Sequence, residues 1–184
     1  MNIKSFVVDG FYENVDEVRN FALSQSFEVT GNYPGNRTKS FATKESRDAI
    51  ESIVTPFFGK VTYWPEGYNG AFQITTARDR SWIHADTGTT WAGVVYLTPN
   101  APVSAGTGFY RHKQTGLTEP NDITGPWSDC AQDVTKWELV STIGNLYNRL
   151  ILYRGNQFHT SMDYFGHDLY TGRLFQTFFF STEL

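Results

Sequence analysis

The apolar positions of the chain change their spacing near Gly59. Before it they recur at the period of a helix. Val15, Val18, Phe21 and Ala22 form one stripe, and Ile50, Ile53, Val54 and Phe57 form a second. Side chains three and four residues apart share one helix face, so each stripe predicts an amphipathic helix that buries that face. Asn14 opens the first, and Asn14 with Glu17 has the spacing of a capping box. The second is predicted over residues 44–57, with Gly59 as its stop. Phe6-Val7-Val8 reads as a short strand ahead of both. Residues 31–39, GNYPGNRTK, read as a turn-rich loop between them.

After Gly59 the period shortens. Residues 72–76 alternate, with Gln73 and Thr75 on one face and Phe72, Ile74 and Thr76 on the other. WAGVVYL at 91–97 is an apolar run rich in β-branched residues, and GTGFYR at 106–111 is a strand begun by glycine. Residues 117–126 are polar and turn-rich. Residues 133–143 predict a helix with Trp137, Val140 and Ile143 inward, and 150–153 and 174–180 read as strands. Two early helices followed by many short strands predict an α+β, mainly β chain: a sandwich or jelly roll with the N-terminal helices packed on one face. There is no internal repeat, low-complexity tract or linker, so residues 1–184 are expected to form a single domain, with 1–59 as helical support and 60–184 as the β core.

Composition narrows the function classes. Of 184 residues, 40% are apolar, 18% charged and 16% aromatic, which fits a globular, strand-rich chain rather than a disordered one. The formal net charge is -4 and no basic patch stands out, so duplex nucleic acid is not an expected partner, although single nucleotides or nucleosides are not excluded as substrates. A single cysteine, Cys130, rules out an internal disulfide framework and a cysteine-based zinc site and fits a reducing, cytoplasmic setting. Residues 1–10 lack the apolar core of a signal peptide, and no stretch approaches the ~18 apolar residues of a membrane span.

The candidate chemistry centres on His84-Ala85-Asp86. Residues two apart on an extended backbone point to the same face, so this imidazole and carboxylate can converge on one ion. With a distant histidine they would form a 2-His-1-carboxylate set, which leaves coordination positions open as a non-haem iron oxygenase requires. Alone, H-x-D also fits a turn-associated histidine beside a capping aspartate, because Thr87-Gly88-Thr89 follows. The other histidines are His112, His159 and His167. His159 ranks first as the third ligand, because it follows a buried-looking strand and a turn. His112, after the GTGFYR strand, and His167, in a polar loop, rank second and third as that ligand and also fit plain surface residues.

Taken in order, these blocks resemble the 2-oxoglutarate/Fe(II) dioxygenases, and within them the prolyl-hydroxylase-like branch. The blocks are His84-Ala85-Asp86, then Val94-Val95-Tyr96-Leu97, then Gly106-Thr107-Gly108-Phe109, then Arg149 to Tyr153 with His159, then Gly172-Arg173-Leu174 leading into Phe180. They cover roughly residues 72–180. The N-terminal YPGNR block is similar to small members of the superfamily, phage-encoded ones among them. The resemblance implies a double-stranded β-helix, a cupin-like jelly roll with the metal in its mouth. It implies Fe(II) on His84, Asp86 and His159, with 2-oxoglutarate and O2 as cosubstrates. It assigns Arg173 to the distal carboxylate of 2-oxoglutarate, with Tyr96 bonding the same group and Gln73 and Thr177 as supporting contacts. Two departures from the branch stand out: the stretch from His159 to Arg173 is longer, and Thr107 separates two glycines that are adjacent elsewhere.

The implied activity is hydroxylation of a peptidyl or amino-acid side chain, coupled to conversion of 2-oxoglutarate to succinate and CO2. The competing readings are a non-oxidative cupin-like isomerase or hydrolase carrying Zn or Mn, and a non-catalytic binding domain. Arg173 with Tyr96 argues against the first, which needs no dicarboxylate anchor, and the intact ligand set argues against the second. A nucleophilic hydrolase is disfavoured, because there is no G-x-S-x-G and Cys130 has no histidine near it in sequence. A small-molecule or peptide substrate is expected to meet the loops at 31–39, 111–126 and 163–171. Tyr33, Arg37, Arg111 and Trp127 are the residues there best suited to hold a polar or acidic group.

Overall fold

In a computed structural model, which describes residues 3–121 and 125–184, the apolar runs become the middle of a seven-stranded antiparallel sheet. Its strands are β1 (Ser5–Asp9), β2 (Asn36–Arg37), β3 (Val61–Tyr63), β4 (Phe72–Thr75), β5 (Trp91–Tyr96), β8 (Arg149–Arg154) and β10 (Arg173–Thr182). They lie in the order β1-β8-β5-β10-β4-β2, with β3 on the far end of β10. Every residue of β5 is buried. A strand covered on both faces has no polar side to alternate with, which is why WAGVVYL reads as a continuous apolar run.

One face of this sheet carries the helices α1 (Val15–Leu23) and α2 (Lys44–Phe58). Ala22, Ile50, Val54 and Phe58 join Trp91, Val95, Leu150, Leu152, Phe178 and Phe180 in one core. The second stripe ends at Phe58 rather than Phe57. Ile50, Val54 and Phe58 follow one another at i, i+4 and i+8 on the inner face, whereas Phe57 is 52% exposed. The caps also differ from the expectation. Asn14 bonds no backbone donor of α1; its Nδ2 donates to the Glu17 carboxylate at 2.7 Å instead. Thr43 and Ser46 make the reciprocal cap, with Ser46 N–H donating to Thr43 Oγ1 at 3.2 Å and Thr43 N–H to Ser46 Oγ at 3.1 Å. Thr43→Ala is therefore expected to lower stability by about 1 kcal/mol, read as a shift in the denaturant midpoint, while Asn14→Ala shifts it less.

The opposite face meets a three-stranded sheet in the order β7-β6-β9, made of β7 (Trp137–Ile143), β6 (Thr107–His112) and β9 (His159–Ser161). Phe109 of β6 stands 5.3 Å from Tyr153 of β8, and Tyr96 of β5 shares a 2.9 Å hydrogen bond with Thr107. Here the expected helix over 133–143 is overturned. Val134–Lys136 is one 3-10 turn, capped by Asp133, and Trp137–Ile143 is an edge strand. Only Trp137 of β7 is buried, so the strand shows little hydrophobic alternation; its Trp137 and Val140 instead mimic a helical spacing. What fixes it is the free side of β6, whose backbone groups pair with β7 from Thr107 to His112. The short strands β2 and β3 have no signal in the sequence pattern, and residues 122–124 of the polar stretch 117–126 lie outside the described residues. Among the described residues no helix is long and apolar enough to cross a membrane.

Candidate metal centre and ligand cavity

His84 lies on an extended segment with no strand of its own, fixed by pairing with β9. His84 N–H donates to the His159 carbonyl at 3.0 Å, and His159 N–H donates to the His84 carbonyl at 2.8 Å. Asp86 N–H donates to Gly155 O at 2.7 Å, in the turn that precedes β9. This double bridge sets the two histidines side by side, with ring centroids 4.4 Å apart, and turns Asp86 to the same face as His84. One ligand atom from each of His84, Asp86 and His159 lies within 4.8 Å of the others.

The ring nitrogens have fixed roles. Nδ1 of His84 faces the Trp82 carbonyl at 2.9 Å and Nδ1 of His159 faces the Gln157 carbonyl at 2.7 Å. A carbonyl oxygen only accepts, so each Nδ1 carries its proton as donor, and Nε2 is the nitrogen that faces the cluster and presents a lone pair to it when the ring is neutral. The two Nε2 atoms each stand 3.6 Å from an oxygen of Asp86. Burial pushes the pKa of His159 down to about 4, against the pull of Asp86. Burial also opposes protonation of His84, but the hydrogen bond and charge of Asp86 and the Trp82 carbonyl outweigh it and raise its pKa. Asp86 is likewise desolvated, yet the two histidines and Arg37 hold its pKa below the usual carboxylate value. An ionised carboxylate and a neutral buried imidazole are the donor forms a divalent cation takes.

His112 and His167 stand apart from this cluster. His112 is not a surface residue, as its place after GTGFYR suggested. It is buried against Trp137, with Nδ1 3.0 Å from Thr115 Oγ1 and Nε2 3.6 Å from the Cys130 sulfur. Cys130 thus has a histidine beside it in space that sequence distance hid. His167 is exposed beside Asp168.

The cluster opens into a cavity of about 370 Å³ between the two sheets. Arg173, the first residue of β10, lines it and is only 1% exposed. Its Nε donates to Ala105 O at 3.0 Å and its Nη2 to Gly106 O at 3.3 Å, and its guanidinium lies 4.4 Å from the Phe175 ring centroid. Gly106 has to be glycine, because a Cβ there would meet the Ile143 carbonyl oxygen at 1.9 Å. No carboxylate of the described residues pairs with Arg173.

The remaining candidates divide. Gln73, Thr177, Tyr33 and Arg37 all line the cavity. Gln73 is already engaged, accepting from Arg37 Nε at 2.7 Å and donating to Pro34 O at 2.6 Å, and Thr177 Oγ1 donates to Ala71 O at 3.3 Å. Tyr96 stands one layer back: its hydroxyl bonds Thr107, which lines the cavity in its place. Arg111 is exposed, pairs with Glu138 at 3.3 Å and does not reach the cavity, because it points outward from β6. Trp127 is not a rim residue either. It is buried with Ile83, Trp137 and Phe158, under an adjoining groove along residues 82–87. The sequence reading missed Tyr153 and Phe175, which line the cavity from β8 and β10. Alternation along 150–153, with Leu150 and Leu152 on the helix side, was the available signal for Tyr153.

A family model described as a family of unknown function (DUF6445) matches residues 2–126. No curated protein matches the chain. Solved structures do. HygX from Streptomyces hygroscopicus, with nickel, 2-oxoglutarate and hygromycin B bound, is similar over 95% of this chain and 81% of its own, at 12% identity and a TM-score of 0.66. A prolyl hydroxylase from Trichoplax adhaerens, in complex with a hypoxia inducible factor oxygen degradation domain peptide fragment, is similar over 98% of this chain and 84% of its own, at 13% identity and a TM-score of 0.59. A Pseudomonas putida prolyl-4-hydroxylase is similar over 96% and 91%, at 10% identity and a TM-score of 0.53. The resemblance to the 2-oxoglutarate-dependent superfamily and its prolyl-hydroxylase-like branch therefore holds at the level of fold.

Proposed function

The chain belongs to the DUF6445 family, and we propose that it is an Fe(II)- and 2-oxoglutarate-dependent oxygenase. The observation that carries this reading is the pairing, in one cavity, of a two-histidine, one-carboxylate cluster with a buried arginine that has no carboxylate partner among the described residues. The donor set suits a divalent iron: two neutral imidazole nitrogens and a carboxylate, all from one side. In this reading the chain is one domain, a double-stranded β-helix to which residues 1–59 contribute the strands β1 and β2 as well as the supporting helices, so the expected split into a helical support and a β core at residue 59 is not kept.

Fe(II) with 2-oxoglutarate and O2 would supply oxidative decarboxylation to succinate and CO2 coupled to oxygenation of the substrate. The chain's own contribution is geometric and electrostatic. His84, Asp86 and His159 hold the metal, their orientation fixed by the backbone bridge and by the Trp82 and Gln157 carbonyls. Arg173 offers its remaining donors to the distal carboxylate, in a site dry enough to strengthen that pairing. Thr107 provides a hydroxyl beside it, backed by Tyr96. Ala92, Val94 and Phe175 wall the cavity and exclude water. The prime reaction is hydroxylation of an amino-acid or peptidyl side chain.

Two measurements test the reading. Calorimetric titration with 2-oxoglutarate is expected to show binding to the Mn(II)-loaded protein and none to the metal-free protein; equal affinity in both would remove the metal assignment. Fe(II)-loaded protein in air is expected to form succinate slowly from 2-oxoglutarate. Metal-dependent binding with no O2-dependent succinate, with or without added substrates, would instead favour a non-oxidative metalloprotein.

A further inference from the structure

Arg37 brings a second positive charge into the cavity, and none of the chemistry above uses it. It sits on β2 opposite Gln73 of β4, and its backbone exchanges two 2.9 Å hydrogen bonds with Val29. Gly35, at φ +70°, turns the chain just before it, and a Cβ at that position would meet the Ile74 carbonyl oxygen at 1.9 Å. The loop is thereby seated tightly on β4. The guanidinium itself is held from two sides. Nε donates to Gln73 Oε1 at 2.7 Å, and the Tyr33 ring centroid lies 3.8 Å from Cζ. Its two Nη nitrogens are left over. They meet no acceptor among the described residues, and no carboxylate of those residues forms an ion pair with them; the oxygens of Asp86 face His84 and His159. Burial draws the pKa of Arg37 down, but a guanidinium remains protonated throughout the working range. Asp86 acts on it only through space, across the cavity, and a rigidly held, partly desolvated cation with no directly paired carboxylate is costly unless a ligand supplies one.

The charges of the loaded site point the same way. On the proposed function, Fe(II) and 2-oxoglutarate cancel, and Asp86 offsets only one of the two arginines, Arg37 and Arg173. One positive charge is left over, and with Arg173 given to the cosubstrate, the Nη nitrogens of Arg37 are where it is available. We propose that the prime substrate is a small acid carrying one carboxylate, and that Arg37 receives this carboxylate through its paired Nη nitrogens. The planar fork of a guanidinium matches a carboxylate in two parallel hydrogen bonds. A phosphate ester would bring about 1.5–2 negative charges and overshoot the balance. The cavity lies near the lower end of the ~300–1,000 Å³ usual for ligand sites and must hold the cosubstrate as well. That favours a molecule the size of a free amino acid. A residue inside a peptide has its carboxyl group tied up as an amide and lacks the charge Arg37 needs.

This inference rests on the proposed function, and its test separates the two. The probe is acetate, with acetamide as its neutral control, titrated into protein saturated with Mn(II) and 2-oxoglutarate while the relaxation of the probe's methyl protons is followed. Mn(II) enhances that relaxation only for molecules held near it. Wild-type protein is expected to show a saturable enhancement with acetate and none with acetamide. Arg37→Gln should weaken acetate by about tenfold or more, the loss expected when hydrogen bonds to a charged group go, and Arg37→Lys should retain more than Arg37→Gln. Melting temperatures of both variants show whether the loop stays folded. Acetate held equally by wild type and Arg37→Gln, or acetamide held as well as acetate, overturns the inference. So does loss of 2-oxoglutarate binding in Arg37→Gln, which would make Arg37 part of the cosubstrate anchor. Failure of wild-type protein to bind 2-oxoglutarate with Mn(II) sinks the functional reading and the inference together, whereas intact 2-oxoglutarate binding with an indifferent response to acetate sinks the inference alone.

Discussion

Replacing His84, Asp86 or His159 by alanine, one at a time, will abolish the metal dependence of 2-oxoglutarate binding. Each residue supplies one of the three donor atoms clustered within 4.8 Å. Outer partners that merely orient a ligand typically cost about 10–100-fold in metal affinity when removed, so loss of a donor itself should cost more than about a hundredfold. His112→Ala and His167→Ala are the controls, because both rings stand outside the cluster. His167→Ala should leave Mn(II) affinity and stability unchanged. His112→Ala should leave Mn(II) affinity unchanged but lower stability, since that ring is buried against Trp137. The readout is Mn(II) affinity by calorimetry, with 2-oxoglutarate titrated afterwards. A variant of the cluster that keeps wild-type affinity would move the metal elsewhere.

Arg173→Ala will separate the cosubstrate from the metal. The side chain reaches the cavity from a buried position and is braced on the Ala105 and Gly106 carbonyls, so its charge cannot be replaced by water entering freely. Truncating one partner of a buried charge pair costs about 2–5 kcal/mol, which corresponds to a loss of more than about tenfold in 2-oxoglutarate affinity. Mn(II) affinity in the absence of 2-oxoglutarate should stay within about threefold of wild type, because Arg173 touches none of the three donors. A fall of less than about threefold in cosubstrate affinity would place the anchor elsewhere in the cavity, with Arg37 as the nearest alternative.

The sequence made the grouping of His84, Asp86 and His159 legible because its geometry is local twice over. His84 and Asp86 share a face by strand periodicity alone, and His159 follows a strand whose apolar run is unmistakable. Arg173 was legible for a similar reason, as the basic residue that opens the long strand β10. The errors arose where a side chain's neighbours come from elsewhere in the chain. β7 is an edge strand with one buried residue, so its pattern carried no period, and only its pairing with β6 makes it a strand. Arg111 lies within β6, two residues after the inward-facing Phe109, but the register shift between Phe109 and Tyr110 breaks the alternation and Arg111 turns to solvent, whereas Trp127 sits in a loop whose direction no periodicity fixes and turns into the core. Tyr96 lay on the right face of β5 but one layer too deep, because Thr107 stands between it and the cavity.

The paired backbones of His84 and His159 have a consequence for the order of events during folding. These residues are paired across a stretch of chain that contains β5, β6, β7 and β8. Contacts of such sequence separation form late and slowly, because a long loop must close before they are rewarded. Once an ion is held there, opening that long loop means losing the ion first. Metal should therefore act as a removable staple, slowing unfolding far more than it speeds folding.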